Sequence, residues 1–223
     1  MSTLDSINTS RTILVLGASG HAKVVLDMIE KAAKCKVGGL FDDNPALLGS
    51  TVLGYEVMGG KGDLLAQTGG MRDCSVVVAI GNNAIRASVA AELIANKKHL
   101  CEALIHPSAQ IAHGVRIGKG CVVMAGAIIN ADSCVGNNVI VNTSATIDHD
   151  CIIGDGVHIA PGVTLCGGIK VGENTLVGAG AVVSPNLRIG SNVTIGAGAT
   201  VLQDIDDGLT VVGSPARPIK LTK

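Results

Sequence analysis

Residues 135–158 read VGNNVI VNTSAT IDHDCI IGDGVH, four lines of six that each open on an aliphatic residue: Val135, Val141, Ile147 and Ile153. The pattern extends both ways. Every sixth residue from Ile105 to Val201 is Ile, Val or Leu, seventeen in a row. A helix repeats every 3.6 residues and a strand every 2, so neither produces a period of six. A fixed short repeat marks a stacked, quasi-one-dimensional architecture. The residue after each aliphatic is usually small or polar (Gly136, Asn142, Asp148, Gly154), and the residue four on is usually small or β-branched (Val139, Ala145, Val157). That alternation turns the fourth residue and the next aliphatic inward and the residue between them outward. Three short strands and three corners make a coil of eighteen residues, so seventeen hexads give more than five coils with no insertion.

Composition fits such a narrow interior. Nearly half of the 223 residues are hydrophobic, yet Phe41 and Tyr55 are the only aromatics, and thirty glycines supply tight corners. A net charge of −1 without long runs of either sign gives no electrostatic case for nucleic acid or an anionic membrane. The opening MSTLDSINTSR lacks the apolar core of a signal peptide, and no apolar run is long enough to span a bilayer, so a cytoplasmic protein is expected. The seven cysteines show no C-x-x-C spacing. Cys121 and Cys151 occupy the inward fourth position and read as small core residues in a reducing compartment.

Residues 1–104 read differently. Ile13–Leu16 is a short apolar run that meets Gly17-Ala18-Ser19-Gly20-His21. A helical pattern follows from Ala22 to Lys34, then strands at Val37–Phe41 and Val76–Ile80 and a helix at Ala84–Asn96. Strands alternating with helices predict a small Rossmann-like parallel sheet, an α/β domain whose ligands sit at the carboxyl ends of the strands. The glycine turn departs from the dinucleotide fingerprint, because Ser19 and Ala22 stand where its second and third glycines belong. Three readings remain open there: a bound NAD, a plain strand-to-helix turn, or a nucleotide-bearing substrate whose phosphates meet the amides at the helix start. Asp42 and Asp43 would accept from ribose or base, or simply shape the turn before Pro45. Arg86 would face a phosphate or be a surface charge.

The repeat, residues 105–223, also serves as a ruler. Coils stack about 4.8 Å apart, so residues eighteen apart share a column. His149 stands two after Ile147, at an outward corner, and Gly167 is eighteen later. A base and a bare N–H donor are thereby neighbours, the pair that acyl transfer needs to take a proton and hold an oxyanion. Asp150 would orient the imidazole. The alternative is an exposed corner histidine with a solvated neighbour. His158, between inward Val157 and Ile159, points out from a flat face, into the same cleft at a subunit seam or against the next subunit. His113 is thirty-six residues before His149, two coils away, too far within one chain to share a zinc ion. Cys166 sits at a corner without an evident base.

The repeat resembles the left-handed parallel β-helix of the hexapeptide acyltransferases, and Val211-Val212-Gly213-Ser214-Pro215-Ala216-Arg217 resembles their closing segment. The γ-class carbonic anhydrases share that fold and a thirty-six spacing of histidines, but Gly154 stands where their third ligand would be. The whole chain is similar to the sugar N-acetyltransferases that carry a nucleotide-binding α/β domain ahead of the β-helix. The motifs are Gly17 to His21, Asp42-Asp43, Ala79-Ile80-Gly81-Asn82-Asn83 with Arg86, Asn142-Thr143 with His149, and His158-Ile159-Ala160-Pro161-Gly162. The similarity is strongest to enzymes acetylating UDP-4-amino-4,6-dideoxy-N-acetylglucosamine on the bacillosamine pathway. The resemblance implies UDP held by the glycine turn and aspartates, His149 as catalytic base and Asn142 near the sugar. It implies acetyl-CoA bound by His158, Gly167, Ala179 and Ala197, no metal, and a homotrimer with sites between subunits. A GDP-perosamine N-acetyltransferase or a sialic acid O-acetyltransferase would share the apparatus.

Overall fold

The structure, a computed structural model, describes residues 11–67 and 74–219; the expectation drawn from the opening segment therefore lies almost wholly outside the described residues. The N-terminal sheet has three parallel strands: β1 (Arg11–Leu16) in the middle, β2 (Cys35–Phe41) and β3 (Cys74–Val78) on either side. Helix α1 (Gly20–Ala32) follows the glycine turn, α2 (Lys61–Ala66) precedes β3, and α3 (Asn83–Ala95) follows it. Val15, Leu40 and Val77 are fully buried, as expected of strands covered on both faces. The pattern reading missed α2, a 3₁₀ turn at Pro45–Leu47 and a hairpin of Thr51–Val52 with Tyr55–Glu56. Each is too short for a hydrophobic period to show.

From Leu104 the chain winds into two-residue strands that pair in parallel with a shift of eighteen, such as Ile128 with Thr146 and Thr146 with Thr164. They form three flat faces. The first runs through Val122–Val123, Ile140–Val141, His158–Ile159 and Leu176–Val177; the second through Ile128–Ile129, Thr146–Ile147 and Thr164–Leu165; the third through Cys134–Val135, Ile152–Ile153 and Lys170–Val171. The hexad aliphatics Ile129, Val141, Ile147, Ile159, Leu165, Val177, Val183 and Ile195 are fully buried. Each such side chain contributes about 1.5–3 kcal/mol of apolar transfer energy. Ile105 and Ile111 are 36% and 37% exposed because no coil lies below theirs. The register ends after Val201: Thr194 pairs with Thr210, sixteen residues on, and Arg217–Pro218 turns back antiparallel to close that end.

The α/β domain packs on the first face. Leu104, Val122, Met124 and Ile140 share one apolar cluster with Val25, Ile29, Val77 and Ala79. That explains Val122 and Ile140, outward by the alternation yet 2% and 1% exposed. Among the described residues no helix is long and apolar enough to cross a membrane.

Candidate active site

His149 lies on the corner between the second and third faces. Asp150 follows it with φ +59, the left-handed conformation that closes the corner, and this brings its carboxylate back beside the ring. His149 Nδ1 and Asp150 Oδ2 are 2.7 Å apart. With Nδ1–H donated to the carboxylate, Nε2 is left as the free base. The corners stack as the ruler requires: Gly168 N–H donates to the His149 carbonyl at 2.9 Å, and Asp150 N–H to the Ala131 carbonyl at 3.1 Å. Ala131 thus separates His149 from His113. The imidazole lies over Gly167, where an added Cβ would meet Cε1 and Nε2 at 2.7 Å. Only glycine leaves the ring its place. The N–H groups of Gly167, Ala179 and Ala197 make no hydrogen bond to the described residues.

The His149 side chain is 60% exposed. Its pKa is raised, first by the hydrogen bond to Asp150 and then by the charge of Asp148. In the sequence Asp148 reads only as an outward polar residue of the repeat. Its Oδ1 accepts from the His149 N–H at 2.8 Å and from Asn130 Nδ2 at 2.9 Å, and these bonds hold its pKa below the usual range. Asn130 and Asp148 are eighteen apart, so the same ruler would have paired them. Cys151 is fully buried, as expected, and burial pushes its thiol pKa up. Cys166 is half-buried against the core.

The expected substrate residues of the α/β domain divide into two groups. At the turn, Gly17 has φ +115 and packs where a Cβ would strike the Ala79 carbonyl at 2.6 Å, so its role is close strand packing. Ser19 caps α1 without a side-chain bond, no acidic residue occupies the first helical turn, and nothing lies within 4 Å of where a Gly20 Cβ would be. The start of α1 is open to an anion. Asp42 serves the turn itself: its oxygens accept from Ala18 N–H at 2.7 Å and Asn44 N–H at 2.9 Å. Asp43 accepts from Lys61 N–H at 2.6 Å.

The second group corrects an expectation. Arg86 meets no solvent in which to hold a phosphate; it is 1% exposed. Its Nε donates to the Asn138 carbonyl (3.0 Å), Nη1 to the carbonyls of Ile80 and Gly81 (3.1 Å each), and Nη2 to Asn83 Oδ1 (2.9 Å) and the Gly156 carbonyl (2.6 Å). Five bonds use all five guanidinium N–H donors. A buried cation demands that saturation, because each unmet donor keeps its desolvation cost. Asn83 reaches the carbonyls of Asn174 and Thr175, at 3.0 and 3.1 Å, and Asn82 caps α3 through Ile85 N–H. Arg86 and Asn83 thus fasten the α/β domain to the coils, and Asn82 starts the helix that carries them.

His158 belongs to the same junction. It lies beneath the α/β domain of its own chain, with Nε2 3.1 Å from Asn142 Nδ2 and its pKa lowered to about 4 by burial and by Arg86. His21 is lowered to about 4 by burial, His158 and Arg86, and its buried Nε2 has no hydrogen-bond partner among the described residues. Both rings are neutral at pH 7.

The comparisons agree with this architecture. The family described as PglD N-terminal domain matches residues 12–93, and the bacterial transferase hexapeptide (six repeats) matches 98–131, 135–167 and 168–203. The acetyltransferase domain of PglB from Neisseria gonorrhoeae FA1090, solved with acetyl coenzyme A, is 39% identical; the alignment covers 94% of this chain and 100% of that one, with a TM-score of 0.86. The chain belongs to the PglD/PerB family of hexapeptide-repeat acetyltransferases. PerB from Caulobacter crescentus, solved with CoA and GDP-perosamine, is 36% identical over 94% of this chain and 97% of that one, with a TM-score of 0.85. UDP-N-acetylbacillosamine N-acetyltransferase of Bacillus subtilis (strain 168) is 36% identical over 116 residues, so the match spans about half of each protein. The small α/β sheet and the left-handed coil are thus this family's fold.

Within one chain the residues expected to handle acetyl-CoA stand on two different corners. His149 and Gly167 share the corner between the second and third faces, opposite the first face, which the α/β domain covers. Ala179 and Ala197 lie on the corner between the first and second faces, where Gly198 N–H donates to the Ala179 carbonyl at 2.8 Å. The sequence ruler gives height along the coil; it does not say which corner meets which.

Proposed function

We propose that the protein is an acetyl-CoA-dependent N-acetyltransferase acting on the C4 amine of a UDP-linked 4-amino-4,6-dideoxy sugar, in a ternary complex. The observation that carries the reading is the Asp150–His149–Gly167 corner, a buttressed imidazole over a bare glycine amide. The amine attacks the thioester carbonyl carbon. Gly167 N–H donates to the developing oxyanion, and His149 Nε2 takes the amine proton. The tetrahedral intermediate collapses with cleavage of the C–S bond, and the CoA thiolate leaves with that proton. The open start of α1 supports a diphosphate site on the glycine turn. Asp43, whose Oδ2 makes no hydrogen bond to the described residues, is the carboxylate left to meet ribose or base.

The site is assembled between copies, in a homotrimer. His149 and the nucleotide turn stand on opposite sides of one coil, and the free amides occupy two corners, so a second copy has to bring them together. His158 and Asn142, 3.1 Å apart on the first face, are the side chains that would meet the acetyl group and the sugar. A GDP-linked amino sugar is the second reading, because the PerB structure with GDP-perosamine matches this chain as fully as the PglB domain does. A panel of UDP-, GDP- and dTDP-linked amino sugars with acetyl-CoA, followed by thiol release, tests both. Turnover with UDP-4-amino sugar above the others is expected. Thiol release with none of them would sink the assignment.

A further inference from the structure

The corner that carries His149 holds two residues that neither the repeat nor the catalytic pair requires. Asp148 occupies the outward position after Ile147, with Asn130 one coil below it. Asp148 Oδ1 is shared between Asn130 Nδ2 (2.9 Å) and the backbone N–H of His149 (2.8 Å). Asp150 holds the ring from the other side through Nδ1. The histidine is therefore gripped twice, once by its backbone and once by its ring, and each grip ends on a carboxylate. The backbone half of this grip recurs at other corners, where the N–H groups of Lys119, Asn137, Thr143 and Ser191 donate to side-chain oxygens; the added hold on a ring is particular to His149. At Gly167, Ala179 and Ala197 the corresponding N–H makes no hydrogen bond to the described residues.

We propose that Asp148, held by Asn130, is a positioning residue for His149: it fixes the corner backbone that lays the imidazole over Gly167 and sets a second negative charge beside it. This rests on His149 being the base. Three neighbouring groups on the packed coils complete its surroundings. Asp132 lies one coil below Asp150, Cys166 one coil above Asp148, and His113 two coils below His149. Of these, Asp132 is the carboxylate, and it lies against Gly114 on the coil below its own, away from the ring, so Asp148 and Asp150 are the charges nearest the ring. The Asp148 carboxylate is kept ionised by its two donors, and its charge is the second largest cause of the raised His149 pKa, after the Asp150 bond.

Two substitutions separate charge from geometry. Asp148→Asn keeps an oxygen able to accept from both Asn130 and the His149 amide but removes the charge. Asp148→Ala removes both. In the full chain, the His149 ring is titrated by NMR, its signals assigned with His149→Gln, alongside pH profiles of kcat/KM for acetyl transfer. Asp148→Asn is expected to lower the His149 pKa and move the acid limb of kcat/KM down with it, with kcat at the plateau within about threefold of the parent. Asp148→Ala should cut the plateau a further tenfold or so, with KM for acetyl-CoA unchanged. Asn130→Ala should give a weaker version of the alanine result. An unchanged His149 titration in both Asp148 variants would overturn the proposal. So would a plateau in Asp148→Ala equal to that in Asp148→Asn. The titration reads the coupling without turnover. Activity retained in His149→Ala would instead overturn the base assignment.

Discussion

The two halves of this molecule hold their candidate functional groups by opposite means. In the coils, the backbone ladder repeats with a shift of eighteen as far as Val201, so a side chain or a free amide is added to a frame that does not need it. His149, Gly167, Ala179 and Ala197 are all of that kind. In the α/β domain, the residues that look like ligand contacts are consumed in building the frame. Asp42 shapes the glycine turn, Asn82 caps α3, and Arg86 and Asn83 dock the domain. A repeat separates structure from chemistry; a small mixed domain asks the same polar atoms to serve both. Substitutions in the coil corners should therefore change rate with little loss of fold, and substitutions in the other group should do the reverse.

The largest expected effect is in the coil. His149→Ala should lose roughly 10²–10⁴ in kcat, the usual share of a general base, with the melting temperature unchanged. Steady-state kinetics and a thermal melt on one sample check both halves of that statement. Gly167→Ala keeps the amide but drives a methyl into the ring, and about a 10²-fold loss in kcat follows from displacing the base by an ångström or so. A crystal structure of that variant should show the imidazole swung off the corner. Arg86→Met should behave oppositely. It leaves the carbonyls of Asn138 and Gly156 dry and should cost on the order of 3–5 kcal/mol of stability. Acetyl-CoA binding by calorimetry should survive, while KM for the nucleotide sugar rises. An Arg86→Met chain that melts like the parent would break the contrast.

Acid should strike the same junction. His21 and His158 titrate near 4 when folded, against about 6.5 when unfolded, so between those values the unfolded chain holds more protons. Their contribution is complete above about pH 6.5 and is lost progressively as pH falls toward 4. Melting curves from pH 7 to 4.5 should fall more steeply for the parent than for His158→Asn. The smallest effect belongs to Asp150→Asn at high pH. His149 has a raised pKa, so its basic form is lost as pH falls through a value above 6.5. The variant's acid limb should lie lower, and the two profiles should differ least on the alkaline side.

What was legible in the sequence follows the same division. The hexads give the coil, its corners and the His149–Gly167 neighbour relation, because a period of six with no insertion converts residue number directly into height. Asp148 and Asn130 lay within reach of that arithmetic. Arg86 did not: its partners are carbonyl oxygens of Asn138 and Gly156, 52 and 70 residues away, and a carbonyl has no letter in the sequence. Asp42 stayed open between ligand and turn for the same reason, since the Ala18 amide that engages it is backbone. The neutral state of His158 depends on its being covered by α/β residues whose own placement no local pattern encodes.

The docking of Arg86 and Asn83 has a consequence for how such chains diversify. All four β-helix groups they grasp are main-chain oxygens, those of Asn138, Gly156, Asn174 and Thr175. Any sequence able to form the corners presents those oxygens at the same heights. The coil can drift in side chains at those corners without loosening the polar part of its attachment to the α/β domain, as long as the apolar patch of Val122, Met124 and Ile140 and the Asn138 bond to the Arg86 carbonyl are kept. The seam sets a standard polar fitting beside a matched apolar patch. One head can ride on many coils, provided that whole coils, eighteen residues at a time, are what is added or removed.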